Sequence, residues 1–390
     1  MLKIGLVLAT TPSYSETFFT SKIRGLQASG YDVTLFVQKK EPHFTDCKVV
    51  TSPQVYKKNV LFQLLNALIV VFKLLRYPNR IKKFIQLERK SNRSWKQLLK
   101  NTYNNAHLLT ADLDWLHFGF ATIALQSEHV AEVIDAKMAV SLRGFDMDVY
   151  PLKHPNCYLL LWKRVAKVHA ISKYMLASAY KLGLPENVPY QIITPAIDIS
   201  KFKSVAPKNR EIPHFLTVAR LHWIKGLIYT LEALALLKAK GIAFEYTIIG
   251  SGAEYENIAF AIHQLQLTDR VHLVGSTSQE AIIEYLSKTT IYIQYSDSEG
   301  FCNAVLEAQA MGLLCVVSDG GALEENVIHT ETGWVVPKRN PQKLSEAILR
   351  VLNMSNDEQD SVRETAIKRV QTTFNIEKQQ QEFINFYQES

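Results

Sequence analysis

The sequence predicts an α/β protein built from two doubly wound domains with parallel sheets. Three observations predict it: a strand–helix–strand start, the return of the same alternation after residue 210, and a length of 390 residues, which suits two domains. Apolar residues make up 47% of the chain and charged residues 21%, a balance that excludes a disordered chain.

The first strand–helix–strand unit occupies the start of the chain. Residues 3–9 form an apolar run bounded by turn residues, residues 16–28 have helical spacing, and residues 32–37 are again a strand-like run. Gly30 ends the predicted helix. Parallel pairing of the two strands follows from the helix between them.

The second half repeats this alternation over a longer stretch. The predicted strands are residues 213–219, 244–250, 271–274, 290–295 and 314–318, and the predicted helices are residues 227–240, 254–265, 279–287 and 303–311. A polar stretch at 198–211, with Pro207, Lys208 and Asn209, is the predicted boundary. We therefore expect domains at 1–200 and 201–372, and a terminal helix at 373–390 that either caps the second domain or packs back on the first.

The cysteines and the N-terminus indicate a reducing compartment. Four cysteines without a C-x-x-C pair fit neither a disulfide framework nor a structural zinc site. The apolar run after Met1 is too short for a signal sequence, and the longest apolar run, 60–72, is too short to span a bilayer. We expect a cytoplasmic protein, with a peripheral position on the inner face of the plasma membrane as the alternative.

Charge is divided unevenly along the chain. Residues 1–200 carry 26 Lys and Arg against 14 Asp and Glu, whereas residues 201–390 carry 18 against 23. Residues 51–100 alone hold 12 basic residues and one acid, Glu88. Such asymmetry predicts that part of the protein meets a polyanion or an anionic surface.

Residues 296–307 are the most informative segment for chemistry. They follow a predicted strand and open a helix, so Gly300 allows a tight turn and the amides of Phe301, Cys302 and Asn303 lie at a helix N-terminus that suits phosphate. Glu299 and Glu307 are expected to face the crevice beyond the strand ends, where carboxylates accept hydrogen bonds from sugar hydroxyls. The alternative is a capped helix with two ordinary exposed glutamates.

A second group of candidate residues lies at the end of another predicted strand. Arg220 and Lys225 stand five residues apart where a helix begins, and two cations there would neutralise a departing diphosphate. A solvated pair of surface cations is the alternative. The turn Gly250-Ser251-Gly252 is by itself a plain strand-to-helix turn, and Asp146-Met147-Asp148 is only a weak metal motif.

Together these segments resemble the retaining glycosyltransferases of family 4, which have the GT-B fold. Glu299 and Glu307 form an E-x7-E pattern, Arg220 with Lys225-Gly226 is similar to the R-x4-K-G donor segment, and residues 250–252 are similar to the G-x-G turn. The resemblance implies two Rossmann-like domains facing a central cleft.

The resemblance also implies a role for each matched residue. Glu299 would contact the donor sugar and Glu307 the ribose, while Arg220 and Lys225 would hold the diphosphate. Backbone groups near residues 274–276, which include Ser276, would recognise the base. No cofactor and no metal are expected, because the two cations replace the metal and the nucleotide sugar is a substrate.

The first half carries weaker matches. Ser15 and Glu16 lie in a segment similar to the "SETF" loop of exopolysaccharide-type members, which implies a place near the acceptor, although helix capping would explain both residues. His117 is similar to the histidine of the family's interdomain cleft, and a buried core histidine is the alternative. Arg143 and Asp146 lie in a segment similar to "HG-x-D", with Arg143 where many members have histidine.

Residues 56–100 mix cations with apolar groups at helical spacing. The segment predicts either a docking face for an anionic membrane or a core-packed helix with solvated cations. Nucleic acid is not expected as a partner, because no nucleic-acid-binding motif accompanies the cations.

The expected function is therefore transfer of a hexose, with retention and without a metal, from a nucleotide-diphosphate sugar to a lipid-linked or polysaccharide acceptor. A UDP-sugar is the favoured donor. A nucleotide-sugar epimerase on the same fold, or a non-catalytic scaffold of a polysaccharide assembly complex, is the alternative.

Overall fold

A computed structural model describes residues 1–12, 17–56, 58–203 and 211–388. It divides the chain into two compact units. The first contains Met1–Ile171, Met175–Ile193 and Gln379–Ser390, and the second contains Ser172–Tyr174 and Thr194–Lys378. The prediction of two doubly wound α/β domains is confirmed. Pro207, Lys208 and Asn209, used to predict the boundary, lie outside the described residues.

The first domain is a seven-stranded parallel sheet in the order β3-β2-β1-β4-β5-β6-β7. Its strands are β1 Lys3–Thr10, β2 Asp32–Lys39, β3 Lys48–Thr51, β4 Trp115–Phe118, β5 Lys137–Leu142, β6 Lys167–Ala170 and β7 Tyr190–Ile192. Its helices are α1 Thr17–Ala28, α2 Val60–Leu74, α3 Pro78–Lys90, α4 Trp95–Asn104, α5 Ala106–Leu109, α6 Ala121–Ala124, α7 Val130–Val133, α8 Tyr150–Lys153, α9 Leu159–Trp162 and α10 Lys173–Lys181, with a π-helical turn at Phe145–Val149.

The second domain is a six-stranded parallel sheet in the order β10-β9-β8-β11-β12-β13. Its strands are β8 His214–Val218, β9 Glu245–Ile249, β10 Val271–Gly275, β11 Ile291–Gln294, β12 Leu314–Ser318 and β13 Trp334–Val336. Its helices are α11 Leu227–Ala239, α12 Tyr255–Gln264, α13 Gln279–Leu286, α14 Asn303–Ala310, α15 Leu323–Asn326, α16 Pro341–Leu352 and α17 Asn356–Thr373, with a 3₁₀ turn at Trp223–Lys225. Apolar side chains cover both faces of this sheet, as a buried parallel sheet requires.

The last helix, α18 Ile376–Gln388, belongs to the first domain from Gln379 onward. Phe383, Phe386 and Tyr387 are buried in that domain's core. Gln380 Nε2 donates to the carbonyl of Ser21 on α1 at 3.1 Å, and Lys167 Nζ on β6 donates to the carbonyl of Phe386 at 2.8 Å. The helix thus supplies part of the core that the first half of the chain does not complete.

Among the described helices, none is by itself long and apolar enough to cross a membrane. By length and composition α2 and α3 pass that test as a pair, with a bend of 110° between them.

Candidate active site

The strand order of the second domain places two loops side by side. β8 and β11 are neighbours, and the chain runs outward from β8 on one side and from β11 on the other. Ligands of doubly wound sheets bind beyond the carboxyl ends of the strands at such a point. The loops that leave β8 and β11 there are residues 219–226 and 295–302.

Backbone contacts fix these two loops against each other. The amide of Asp297 donates to the carbonyl of Ile224 at 2.7 Å. Gly226 has φ +61°, and a Cβ there would lie 2.0 Å from the carbonyl oxygen of Tyr295. Only glycine fits this close approach, which sets the position of its neighbour Lys225.

Lys225 and Glu299 form an ion pair across the two loops. Their side chains are 14% and 10% exposed. Glu299 Oε1 also accepts from Ser296 Oγ at 3.0 Å and Gln294 Nε2 at 3.3 Å. Burial by itself would lower the pKa of Lys225, but the Glu299 carboxylate outweighs burial and raises that pKa. The pair therefore keeps a positive charge in a largely enclosed place at neutral pH.

Arg220 adds a second cation on the same loop. Its side chain is exposed and has no carboxylate partner within the described part of the chain. Its charge acts on Lys225 and lowers the pKa of that amine, which places the two cations within electrostatic reach. Two cations that repel each other across an open loop favour binding of an anion between them.

The turn at residues 250–252 supports the Arg220 loop. The amide of Leu221 donates to the carbonyl of Ser251 at 2.9 Å, and a Cβ on Gly250 would lie 1.8 Å from the carbonyl oxygen of Ala219. Ser276, just after β10, donates from Oγ to Ser251 Oγ at 2.8 Å, and both residues are exposed. Ser276 thus lies at the same end of the sheet as Arg220.

The start of α14 corrects part of the predicted phosphate seat. The Cys302 amide donates to Asn326 Oδ1 at 3.0 Å, and Asn326 Nδ2 donates to the Cys302 carbonyl at 3.0 Å. The prediction that the Cys302 amide meets a phosphate is therefore wrong, because α15 already uses it. The amides of Phe301 and Asn303 have no hydrogen bond within the described residues.

Gly300 also differs from the prediction. Its φ is not positive, so the turn does not use the conformational freedom that the sequence indicated there. Gly226, on the neighbouring loop, is the residue whose backbone requires glycine.

Glu307 lies one turn into α14 and is half-buried. Among the described side chains none forms a hydrogen bond or ion pair with its carboxylate. Burial raises the pKa of Glu307 to about 7. This carboxylate is therefore an available acceptor whose charge changes near neutral pH.

The Cys302 thiol lies among the charged groups. Burial raises its pKa to about 12; Glu299 and Glu307 add to that rise, and Lys225 opposes it. The thiol stays protonated and is unsuited to act as a nucleophile. Both glutamates and Lys225 therefore lie within electrostatic reach of Cys302.

Comparisons with known proteins indicate the class of enzyme that carries this arrangement. Residues 198–369, which hold all of these groups, match the family model described as glycosyl transferases group 1. The chain is 28% identical, over 96% of its length and 96% of the relative's, to the amylovoran biosynthesis glycosyltransferase AmsK of Erwinia amylovora.

The protein is a glycosyltransferase.

Two further similarities accompany this assignment. The glycosyltransferase is 30% identical, over 54% of its own length and 57% of the relative's, to the N,N'-diacetylbacillosaminyl-diphospho-undecaprenol alpha-1,3-N-acetylgalactosaminyltransferase of Campylobacter jejuni. Its fold matches Anabaena HepE in complex with UDP-glucose with a TM-score of 0.74, 14% identity and coverage of 100% of both chains. The predicted GT-B fold class is confirmed, and the glycosyltransferase assignment replaces the epimerase and scaffold alternatives.

His117 of the glycosyltransferase is a core residue. It lies in β4 between β1 and β5 and is 0% exposed. Its Nδ1 contacts Lys22 Nζ at 3.1 Å and Tyr387 Oη at 2.6 Å, and its Nε2 contacts Ser141 Oγ at 2.9 Å. The prediction that His117 contacts donor or acceptor is wrong, because both ring nitrogens are occupied inside the first domain.

The hydrogen bonds of His117 continue through Ser141 to His169. The last contact of this chain determines which atoms donate and which accept. Nε2 of His169 contacts the carbonyl of Ile193 at 3.0 Å, and a carbonyl only accepts. His169 Nδ1 is then an acceptor for the Ser141 hydroxyl at 2.8 Å, and Ser141 Oγ accepts from His117 Nε2. His117 Nδ1 is left to accept from Lys22 or Tyr387. Burial lowers the pKa of both histidines well below the usual value, so both are neutral.

Asp146 also has a structural role. Its carboxylate accepts from the amide of Ala121 at 3.2 Å, the amide of Thr122 at 3.2 Å and Thr122 Oγ1 at 2.7 Å, so it caps α6. It is 0% exposed. The prediction that Asp146 faces the acceptor is wrong. Within the described residues, no three His, Cys, Asp or Glu side chains are grouped as metal ligands.

Arg143 lies just past the carboxyl end of β5. Its Nε donates to the carbonyl of Gly119 at 3.0 Å, and its guanidinium lies 4.1 Å from the ring centre of Phe18. It remains partly exposed, so its acceptor role stays a prediction. Ser15 and Glu16, predicted beside it, lie outside the described residues.

The first domain has a cavity at the carboxyl ends of β1 and β2. It encloses about 570 Å³ and is lined partly by amide side chains, among them Gln38, Asn101, Asn104 and Gln126. Sequence reasoning missed this cavity because its walls come from segments distant in sequence.

Sequence reasoning also missed the residues that hold the active-site groups. Gln294, Ser296 and Asn326 orient Glu299 and the start of α14. Gln294 and Ser296 were detectable in principle, because polar residues at the end of a buried strand need partners. No sequence pattern near Asn326 indicates that its side chain binds the backbone of Cys302.

Proposed function

We propose that this glycosyltransferase moves a hexose from a nucleoside-diphosphate sugar, with UDP as the favoured nucleotide, to a glycan acceptor in exopolysaccharide synthesis. The ion pair of Lys225 and Glu299, with the unpaired Arg220 beside it, is the observation that carries the proposal. The name of AmsK, an amylovoran biosynthesis enzyme, and the UDP-glucose bound to HepE support the pathway and the donor.

The diphosphate occupies the space between the two loops of the second domain. Arg220 and Lys225 supply positive charge there, and the free amides of Phe301 and Asn303 donate to phosphate oxygens at the start of α14. We propose that these groups do the work a divalent metal does in other phosphate sites, so the reaction needs none.

The two glutamates bind the sugar units on either side. Glu307, without a partner of its own, accepts from the ribose hydroxyls. Glu299 offers Oε2 to the donor sugar, since its contacts with Lys225, Ser296 and Gln294 all involve Oε1.

The transfer retains the configuration of the donor sugar. The bond from the anomeric carbon to the phosphate oxygen breaks, and a bond to the acceptor hydroxyl oxygen forms on the same face. The departing phosphate oxygen takes the hydroxyl proton. Lys225 and Arg220 stabilise the negative charge that develops on that phosphate.

The acceptor is a lipid-linked glycan bound by the first domain. The amide-lined cavity of about 570 Å³ offers donors and acceptors suited to sugar hydroxyls. The name of the Campylobacter jejuni relative, which acts on a diphospho-undecaprenol substrate, supports a lipid carrier. All four cysteines are free thiols, which supports the cytoplasm as the compartment.

The proposal is tested with a panel of nucleotide sugars and a lipid-diphosphate glycan acceptor. We expect calorimetric binding of one nucleoside diphosphate, transfer that persists in excess chelator, and a product whose anomeric configuration by NMR equals that of the donor. An inverted product contradicts the mechanism, loss of activity on chelation contradicts metal independence, and binding of no nucleoside diphosphate contradicts the site.

A further inference from the structure

Helix α2 presents apolar side chains to the outside of the first domain. Ten large apolar residues on and just after it are each more than half exposed: Val60, Leu61, Phe62, Leu64, Leu65, Leu68, Ile69, Val71, Phe72 and Leu75. Soluble proteins rarely leave so large a contiguous apolar surface open to water unless it binds something.

The inward side of the same helix is partly polar. Asn66 Nδ2 donates to the carbonyl of Gln54 and to Tyr103 Oη, both at 2.8 Å, and Gln63 Oε1 accepts from the amide of Tyr56 at 2.8 Å. Of the helix, only Val70 and Leu74 are fully buried. The helix thus differs from an ordinary surface helix, whose apolar side faces the core: most apolar residues of α2 face outward, and its inward side is partly polar.

The apolar surface continues into a groove beside the helix. The groove encloses about 480 Å³ between α2, α3 and α4, and Val71, Leu75, Ile81 and Ile85 contribute to its walls. The groove therefore extends the exposed apolar surface from α2 onto α3.

Unpaired cations flank this face. Lys58, Lys73, Arg76 and Lys82 are exposed and have no ion pair within the described part of the chain. Glu88, the one acid of residues 51–100, is 0% exposed and paired with Arg93. The surroundings of α2 are therefore positive.

We propose that α2 lies in the interface of an anionic bilayer, with its outward face among the acyl chains and the flanking cations among the headgroups. Its 15 residues extend about 22 Å at the usual rise, less than the roughly 30 Å of the hydrocarbon core. A position in the plane of the interface buries the whole outward face.

The charges favour a membrane over a protein partner. A second copy of the chain would bring the same unpaired cations against each other. An anionic leaflet supplies charge of the opposite sign, and each cation near it strengthens binding about fivefold. This inference stands on α2 and its surroundings and does not depend on the reaction.

Vesicle sedimentation of the full chain tests the inference. We expect binding to vesicles that mix phosphatidylglycerol with phosphatidylcholine, and much weaker binding to phosphatidylcholine alone or at high salt. Failure to sediment with the anionic vesicles, or equal binding to both kinds, overturns it.

Substitutions separate insertion from other causes. The variant Leu65→Ser/Leu68→Ser/Phe72→Ser should lose at least about tenfold in vesicle affinity. The control Leu152→Ser/Phe260→Ser, which changes residues 76% and 66% exposed elsewhere, should bind as the unchanged protein does. Thermal unfolding checks that both variants fold.

Two results overturn the assignment of α2. One is vesicle binding by the triple variant that equals the wild type. The other is a wild-type dimer by light scattering that the triple variant converts to a monomer, because this shows a second copy on the face. Nucleotide binding measured without vesicles reports separately on the proposed function.

Discussion

Lys22 of the first domain is buried and Lys225 of the second is largely enclosed, and the two lysines have opposite electrostatics. Lys22 is 2% exposed, contacts His117 Nδ1 and lies 4.2 Å from the ring centre of Phe383. Burial lowers the pKa of Lys22 well below its usual value, and the charge of Arg143 adds to the effect. For Lys225 the Glu299 carboxylate reverses the effect of burial. Lys225 keeps its charge because a carboxylate faces it, so Lys225, not Lys22, is suited to bind a diphosphate.

One carboxylate from each domain, Asp146 and Glu307, shows a second difference, which lies in their hydrogen-bond partners. The carboxylate of Asp146 accepts three hydrogen bonds at the start of α6. The carboxylate of Glu307 has no hydrogen-bond or ion-pair partner within the described residues. The Asp146 carboxylate is therefore satisfied inside its own domain, whereas the Glu307 carboxylate is available to a ligand.

The largest expected effect is on the rate of sugar transfer. Lys225→Ala should lower kcat/KM about 10³-fold, because it removes the charge that stabilises the departing phosphate. Steady-state kinetics on the purified enzyme measures this, and thermal unfolding checks the fold. Lys238→Ala, a control on α11, which follows the Lys225 loop, should keep wild-type activity. Turnover of Lys225→Ala within threefold of wild type contradicts the assignment.

The second prediction tests the contrast between Lys22 and Lys225 through the pH dependence of the free energy of unfolding. Unfolded Lys22 binds a proton that the folded, neutral amine does not, so stability should rise with pH. Relative to Lys22→Met, the wild type should gain about 1.4 kcal/mol per pH unit between the lowered folded pKa and about 10.4. Urea unfolding at several alkaline pH values measures the difference. Parallel pH profiles for the wild type and Lys22→Met would show that the folded amine is charged.

The role of Asp146 predicts a loss of stability. Asp146→Ala should reduce the free energy of unfolding by about 1–3 kcal/mol, because three donors at α6 lose their acceptor. Asp112→Ala, which removes an exposed ion pair with Lys3, should have a much smaller effect on the free energy of unfolding. Wild-type stability of Asp146→Ala together with weakened acceptor binding would restore the acceptor role.

The smallest effect concerns nucleotide affinity. Because the pKa of Glu307 is about 7, its carboxylate ionises between pH 6 and 8 and becomes a better acceptor for ribose hydroxyls. Affinity for the nucleoside diphosphate should rise over this range by up to about tenfold more in the wild type than in Glu307→Gln. Calorimetry measures both, with Glu346→Gln as a matched surface control. Equal pH dependence in all three proteins would remove Glu307 from the site.

The sequence predicted the second domain well because its signals are local. Each predicted strand and helix there corresponds to an observed element, since apolar runs and helical spacing alternate over short stretches. Lys225 and Glu299 each follow a strand, and neighbouring parallel strands bring their carboxyl ends together. The contact itself, between residues 74 apart in sequence, was not predicted and depends on the neighbouring positions of β8 and β11.

The sequence misassigned residues whose partners are distant. His117 and Tyr387 are 270 residues apart, and no local pattern near His117 indicates that α18 would cover it. The amide of Cys302 was assigned to phosphate because Asn326, which occupies it, lies on another helix. The resemblance to "HG-x-D" implied an acceptor role for Asp146, and nothing near it in sequence indicates its three donors, which lie 24 or 25 residues away.

By itself the sequence determined the fold class, the two domains and the loops that carry Arg220, Lys225, Glu299 and Glu307, because alternation and turn chemistry are encoded over a few residues. Only the tertiary structure decided which polar groups stay available, since a donor or acceptor is free or occupied according to what the rest of the chain brings beside it. For the same reason, only the structure showed that α2 leaves most of its apolar residues exposed.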